Sequence, residues 1–248
     1  MNPAAVNLAR DRLDAGLAFF YPPVCQLCGE QRANPGEGFV CQVCWQNLRF
    51  ITPPCCERCG LPFPGEITTA FECSNCRDLD LRFRWARASV VANDFLRHII
   101  HRYKYNRELW FEPFLADLLL RQALPVLLGE KLDGIVPVPL HPVKQREREF
   151  NQAERLALPL ARALGVPVLT KLVKRVRPTR TQTQLDKHAR ADNVRSAFAP
   201  VKPKSLRAER LLVLDDVLTT GATTSAVARV LRENGAGEVL VWTLARGL

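Results

Sequence analysis

Beyond Cys76 the chain has no cysteine: all nine lie between Cys25 and Cys76 of 248 residues. The absence excludes cross-links in the larger C-terminal part and marks a small N-terminal module of its own kind. Nor is there any apolar run near the ~18 residues that a membrane-spanning helix needs. Arg10, Asp11, Arg12 and Asp14 interrupt the apolar pattern of the first residues, so the unbroken centre of a secretory signal is missing. A cytoplasmic protein without membrane insertion is expected. Two familiar nucleotide signatures are also absent, the phosphate loop ending in Gly-Lys-Ser/Thr and the dinucleotide turn Gly-x-Gly-x-x-Gly. The four histidines, His98, His101, His141 and His188, are scattered without a metal partner at useful spacing.

What is present starts with charge. Thirty-five basic and 25 acidic residues give a formal net charge of +10. Such a balance points to a polyanionic partner, nucleic acid or a phosphorylated small molecule. If eight cysteines bind two zinc ions as thiolates, the balance falls to about +6 and the hint weakens.

The cysteines form four pairs with one spacing: Cys25-x2-Cys28, Cys41-x2-Cys44, Cys56-x2-Cys59 and Cys73-x2-Cys76, with Cys55 left over. Two sulfurs of one tight turn reach the same ion, and two such turns complete a tetrahedral four-cysteine zinc site. The pattern repeats, because Cys28 and Cys59 are each followed by glycine, whereas Cys44 and Cys76 are followed by Trp45 and Arg77. The repeat favours two consecutive ribbons, Cys25/Cys28/Cys41/Cys44 and Cys56/Cys59/Cys73/Cys76. The alternatives are a cross-brace, a disulfide framework or an iron–sulfur cluster. Closed four-thiolate sites leave no open position for chemistry, so the zinc ions are read as structural. Trp45, Phe50, Phe71, Phe83 and Trp85 lie near the basic residues Arg82, Arg84 and Arg87, either as core or as a stacking platform for single-stranded DNA.

The remaining chain alternates strand and helix. "SVVAN" and "DGIVPVPL" (Asp133 to Leu140) read as strands, the latter held to an edge or strand end by its prolines. Residues 94–103, 111–123 and 151–165 read as helices, the last stopped by Gly165. "RLLVLDD", "ATTSAVARVLRENGAG" and "EVLVWTLAR" then give strand, helix, strand. The expected fold class is α/β, a parallel sheet flanked by helices behind the N-terminal double zinc ribbon. The expected division is an N-terminal helix over 1–22, the ribbons over 23–80 and the α/β domain over 81–248.

"LLVLDDVLTTGATTS" (Leu211 to Ser225) carries the most chemistry. A greasy strand ends in Asp215 and Asp216, and Thr219, Thr220, Gly221, Ala222 and Thr223 lead into a helix N-terminus. Helix N-termini attract phosphate, hydroxyls add donors, and glycine lets the backbone approach. Carboxylates do not favour phosphate but suit ribose hydroxyls or magnesium. Together these parts describe a seat for a sugar 5-phosphate.

The stretch resembles the phosphoribosyl-pyrophosphate (PRPP) signature of type I phosphoribosyltransferases. With "FFYPPVCQLCGE", "IVPVPLHPVKQREREFNQAERLA" and "RVRPTRTQTQLDKHARADNVRSAF" in order, nearly the whole chain resembles the ComF/GntX family. The resemblance implies a zinc-ribbon head on a phosphoribosyltransferase domain in a bacterial cytoplasmic protein, and a link to DNA uptake in competence. It implies that Asp215 and Asp216 hold the PRPP ribose, with Mg²⁺ accompanying PRPP, and that Thr219 to Thr223 cradle the 5-phosphate. Lys144, Arg148, Asn151 and Gln152 would approach the pyrophosphate, with Arg180, Gln184 and Arg190 in a mobile basic segment over the site. Glu149 departs from the family's Arg-Gly-Phe-Asn-Gln pattern, standing where the glycine is expected. Two functions follow: transfer of the phosphoribosyl group to an undetermined acceptor, or handling of single-stranded DNA with PRPP as regulator only. Partners would be PRPP, single-stranded DNA and the DNA-uptake machinery.

Overall fold

The computed structural model describes residues 23–65, 71–77, 80–177, 196–203 and 205–248. The N-terminal helix expected over 1–22 lies outside the described residues. The main sheet has four parallel strands in the order β1-β6-β5-β2: β1 Ala86–Val91, β2 Gly134–Pro137, β5 Arg210–Leu218 and β6 Glu238–Arg246. A separate antiparallel pair joins β3 (Val173–Arg175) to β4 (Phe198–Pro200). The helices are α1 Gln42–Trp45, α2 Ser74–Arg77, α3 Asp94–Tyr105, α4 Glu112–Leu127, α5 Pro142–Arg148, α6 Gln152–Leu164 and α7 Ala222–Glu233.

The period of two along β5 builds two separate cores. Leu212 and Leu214 join one hydrophobic cluster with Ile99 of α3, Phe114 of α4 and Leu156 of α6. Leu211 and Val213 join the other, with Val227 and Leu231 of α7. Successive side chains of a strand face opposite sides of its sheet, so each core holds one residue set. The zinc ribbons divide the same way. Cys25, Cys41 and Cys44 belong to the first cluster, Cys56, Cys59, Cys73 and Cys76 to the second.

Both sheet edges are covered. Residues 49–51, between the ribbons, run along β1: Ile51 donates to Ser89 (3.1 Å) and Val91 to Arg49 (2.8 Å). At the other edge Ile135 donates to Pro167 (2.9 Å) and Leu169 to Ile135 (2.7 Å). Covered edges remove the unpaired groups on which another chain would pair.

Two expectations need adjustment. The strand expected over Asp133 to Leu140 spans Gly134–Pro137, with one further bond to β5 from Val138 N–H to Leu214 O (2.9 Å); Pro137 and Pro139, in step with Ile135, have no N–H to offer the edge segment at 167–169. The acids were expected at the end of a strand over Leu211 to Leu214, but β5 runs on to Leu218. β6 pairs with it as far as Leu218 opposite Arg246, while β2 stops opposite Leu214. Asp215 and Asp216 are therefore mid-strand on the β6 side and lie past the last ladder pair on the β2 side.

Candidate functional site

The two cysteine groups assemble consecutively. Cys25, Cys28, Cys41 and Cys44 form one cluster and Cys56, Cys59, Cys73 and Cys76 the other, each with all sulfurs within 4.8 Å of one another. The cross-brace is not formed. Four sulfurs about 2.3 Å from a tetrahedral zinc lie about 3.8 Å apart. The pairs Cys25–Cys44 (3.7 Å), Cys28–Cys41 (3.8 Å), Cys56–Cys76 (3.8 Å) and Cys59–Cys73 (3.6 Å) match that spacing and are far too long for disulfides. Cys41 N–H and Cys73 N–H each point at the first sulfur of their cluster, at 3.4 Å. Burial pushes the Cys25 thiol up, but the backbone at Cys28, Cys41 and Leu27 draws it down to about 6, favouring the thiolate. Gly29 and Gly60 take positive φ as their place after a knuckle requires. At Gly60 a side chain would also meet the Ala86 carbonyl at 2.9 Å, so the second knuckle sits directly on β1. Cys55 stays outside both clusters and bridges to Pro62 through its backbone.

The phosphate-type loop lies between β5 and α7. Gly221 is the N-cap of α7 with φ 85° and ψ 0°, the left-handed region that glycine enters without strain. The first intrahelical bond runs from Ser225 N–H to Gly221 O (2.8 Å), so the amides of Ala222, Thr223 and Thr224 precede it. The Thr220 hydroxyl accepts from Ala222 N–H at 3.3 Å, and Thr224 Oγ1 donates to Gly221 O at 3.1 Å. No acid stands in the first turn of α7. Asp215 and the residues from Val217 to Thr224 line a small cavity of about 30 Å³.

The acids differ in their partners. Asp216, in register with Leu212 and Leu214, is ion-paired to Lys104 of α3 and accepts from Gln152 Nε2 at 3.2 Å. Burial works against its charge, but the Lys104 ammonium outweighs it and holds the carboxyl below its usual range. Asp215 accepts the Asp216 backbone N–H at 2.9 Å. Burial, then the Asp216 charge, push the Asp215 carboxyl well above its usual range. The two adjacent carboxyls are thus shifted in opposite directions, Asp216 down by Lys104 and Asp215 up by burial and the neighbouring charge.

The pyrophosphate-side residues fare unequally. Arg148 Nη1 donates to Gln152 Oε1 (3.0 Å) and Nη2 to the Tyr105 hydroxyl (2.9 Å), so Arg148, Gln152, Asp216 and Lys104 form one chain of contacts. Lys144 pairs with Glu147 at 2.7 Å on exposed α5. Asn151 uses both ends of its amide locally: Oδ1 caps α6 through Ala153 N–H, and Nδ2 reaches Val138 O, each at 3.0 Å. Arg180, Gln184 and Arg190 lie outside the described residues. Of the aromatics considered for stacking, Phe83 and Trp85 are buried, Trp45 packs edge-on against Phe114, and Phe71 against Phe63.

Glu149 ends α5 with φ 67°, so this position needs the left-handed conformation that glycine supplies. Its carboxylate pairs with Arg107 at 2.8 Å, an exposed contact of small value. A non-glycine residue there costs about 1 kcal/mol. Glu149→Gly is expected to stabilise the chain by about 0.5–1 kcal/mol in urea unfolding, since the lost ion pair offsets only part of the gain.

Sequence reasoning missed Lys104 and Arg246. Lys104 had a signal: it follows Ile100 by four in α3 and so shares the buried face. Arg246, the last residue of β6, is buried, with its guanidinium on the carbonyls of Leu218 and Thr219.

Residues 16–78 match the double zinc ribbon domain. Over 224 residues the chain is 32% identical to Competence protein F of Haemophilus influenzae, covering 84% of this chain and 97% of that protein. It is 34% identical over 232 residues to DNA utilization protein YhgH of Escherichia coli K12, covering 92% and 98%. A purine phosphoribosyltransferase structure from Pyrococcus horikoshii Ot3 overlaps 54% of this chain and 73% of its own, at 20% identity and a TM-score of 0.36. Fold and site thus define a class, zinc-ribbon-headed proteins whose parallel α/β domain carries an acid pair and a hydroxyl-rich loop. Within it, the chain belongs to the ComF/GntX family.

Proposed function

We propose that this protein binds PRPP and acts as a phosphoribosyltransferase-like protein linked to the handling of incoming DNA. The observation that carries the reading is one strand–helix junction, β5 to α7, that joins an acid pair to a loop of threonine hydroxyls and N-terminal helix amides. The loop suits the 5-phosphate and the acids suit the ribose hydroxyls. Burial and the neighbouring charge favour the protonated form of Asp215 and Lys104 favours the ionised form of Asp216, so the pair offers ribose hydroxyls two unlike partners. Asp216 is already matched by the Lys104 ammonium, so the acid pair does not present two free carboxylates to a divalent cation. Magnesium, expected with PRPP, therefore enters this reading only as a companion of the ligand's own phosphates.

Transfer would form a bond from an acceptor nucleophile to the anomeric carbon while the bond from that carbon to pyrophosphate breaks. The bonding pair leaves with pyrophosphate, through a cationic, oxocarbenium-like state. The chain's own share is to fix the ribose and 5-phosphate so that this charge develops in a held geometry.

Asp215→Asn with Asp216→Asn is expected to weaken PRPP binding at least about 100-fold, since two hydrogen bonds to charged or buried acids are lost. Calorimetric titration of the folded double variant decides it; wild-type affinity there rejects the assignment. A pyrophosphate-release screen over nucleobases and nucleic acids separates transfer from sensing.

The names of the relatives and the +10 charge support a second reading, binding of single-stranded DNA with PRPP as regulator. Burial of Phe83 and Trp85 takes away two aromatics that could have stacked bases. Strongly salt-dependent binding to single strands without pyrophosphate release selects this reading. Among the described residues no helix is long and apolar enough to cross a membrane; a cytoplasmic setting is part of the proposal.

A further inference from the structure

Arg246 is a cation only 2% exposed. Its partners are carbonyls and one sulfur. Nη1 donates to Leu218 O (3.1 Å), Thr219 O (2.5 Å) and Gly247 O (2.5 Å). Nε donates to Cys59 O (3.3 Å), and Nη2 points at Cys59 Sγ (3.6 Å). A buried cation needs a compensating charge. Cys59 belongs to the second zinc cluster, and a zinc ion with four thiolates carries a net charge of about −2. One side of the guanidinium thus meets the anionic metal site. The other holds the two carbonyls that open the Thr219–Thr223 loop. Partners of this kind, bonded to a ligating residue, orient metal ligands in many sites.

An independent set of contacts joins the same two regions. Ser225, in the first turn of α7, accepts from Arg82 N–H (3.0 Å) and donates to Asp80 O (3.1 Å), just past the last cysteine. Arg58, between Cys56 and Cys59, donates to Leu81 O at 2.6 Å. The side chains of Leu81 and Phe83 border the Gly221 position at 3.4 and 3.6 Å. The first ribbon sits elsewhere: its buried cysteines pack in the cluster with α3, α4 and α6, while the loop's Leu218 and α7 pack with the second ribbon.

We propose that Arg246 is a positioning residue that ties Cys59 of the second zinc site to the opening carbonyls of the phosphate loop, so that zinc at the second site, and not at the first, keeps that loop shaped for a phosphate monoester. The phosphate part rests on the reading of the loop given above; the tie does not. Ligand and zinc are then thermodynamically linked, and each strengthens the other by the same factor.

The test uses the full chain loaded with two zinc ions. Arg246→Lys keeps the charge but not the forked geometry. It is expected to retain both zinc ions while backbone amides of residues 219–224 exchange about tenfold faster or more, and those of 40–45 keep their wild-type rates. Ribose 5-phosphate, as probe, should bind the variant more weakly by a similar factor. In the wild type it should raise the affinity of one zinc against a chelator and leave the other unchanged. Exchange of 219–224 within twofold of wild type overturns the tie. If the wild type does not bind ribose 5-phosphate, the phosphate reading fails, and the exchange comparison still judges the tie. If Arg246→Lys does not fold, stepwise chelation of the wild type decides, with alkylation of Cys28 or Cys59 reporting which site has emptied. Loop protection must fall with the second site; a fall with the first overturns the proposal.

Discussion

Lys104→Met is expected to destabilise the protein by about 3–5 kcal/mol at neutral pH, the cost of breaking a buried ion pair by removing one partner. Side-chain exposure is 15% for Lys104 and 9% for Asp216, so water cannot take over the lost contact. Gln152 and the neighbouring Asp215 remain as partners of Asp216, but neither brings a positive charge. The stranded carboxylate recovers part of the loss by taking up a proton, which places the expectation toward the lower bound. Asp216→Asn in the same chain removes the stranded charge, so the double variant should be more stable than Lys104→Met alone. Urea unfolding of wild type, both single variants and the double variant measures the coupling directly. A coupling near zero rejects the pair as an energetic unit.

The pH dependence follows from the direction of the Asp216 shift. Its folded pKa is depressed, so the stability it contributes is present above the unfolded value of about 3.9 and is lost as pH falls through the still lower folded value. The difference between wild type and Lys104→Met should be largest at neutral and higher pH, where the stranded Asp216 must hold a proton or ionise unpaired, and shrink toward zero in acid. Loss of zinc in acid acts on both chains alike and drops out of the difference. Asp215 acts in the opposite sense: its raised folded pKa contributes stability below about 3.9 that is lost as pH rises through the folded value. Asp216→Asn removes the like charge that helps raise it, so Asp215 should ionise more readily in that variant.

How much of this was readable from sequence depends on whether the determinant is local. The four cysteine pairs and "LLVLDDVLTTGATTS" are local patterns, and the structure returns them as two sulfur clusters and one strand–loop–helix junction. The two faces of β5 were written in its alternation but carry no label for what covers each. That the ribbons would divide between the two faces depends on tertiary packing. Lys104 and Asp216 are separated by 112 positions, and no spacing rule connects residues so far apart. Arg246 looked like one more basic residue near a chain end; only the fold puts it between a sulfur and a loop. Asn151 shows the reverse case. Its place in a family motif implies a ligand contact, and its amide also has a local use that the motif does not announce: it caps α6 and anchors Val138. Glu149 shows what a departure from a motif means physically: the backbone keeps the glycine conformation although the side chain has changed.

Removing both zinc ions should lower the unfolding temperature of the whole protein by at least about 10 °C, as a single transition. The ribbons are not beads attached to a finished domain. Cys25, Cys41 and Cys44 share a core with Phe114 and Leu118, and Cys56, Cys59, Cys73 and Cys76 share one with Phe83, Leu211 and Val227. The segment joining the ribbons covers the β1 edge. Losing the metals would repel or protonate buried thiols, loosen both cores and bare that edge together. Structural zinc is worth about 10–16 kcal/mol in isolated finger peptides. Even about 5 kcal/mol would move the midpoint of a chain this size by about 10–20 °C. Scanning calorimetry with and without chelator gives the answer, with near-ultraviolet dichroism of the buried Trp85 and Trp242 pair, 6.4 Å apart, reporting on the sheet. If the tryptophan signal melts at the same temperature with and without metal, the ribbons fold independently of the sheet. In that case the contacts of Arg246, Ser225 and residues 49–51 would carry too little energy to couple them.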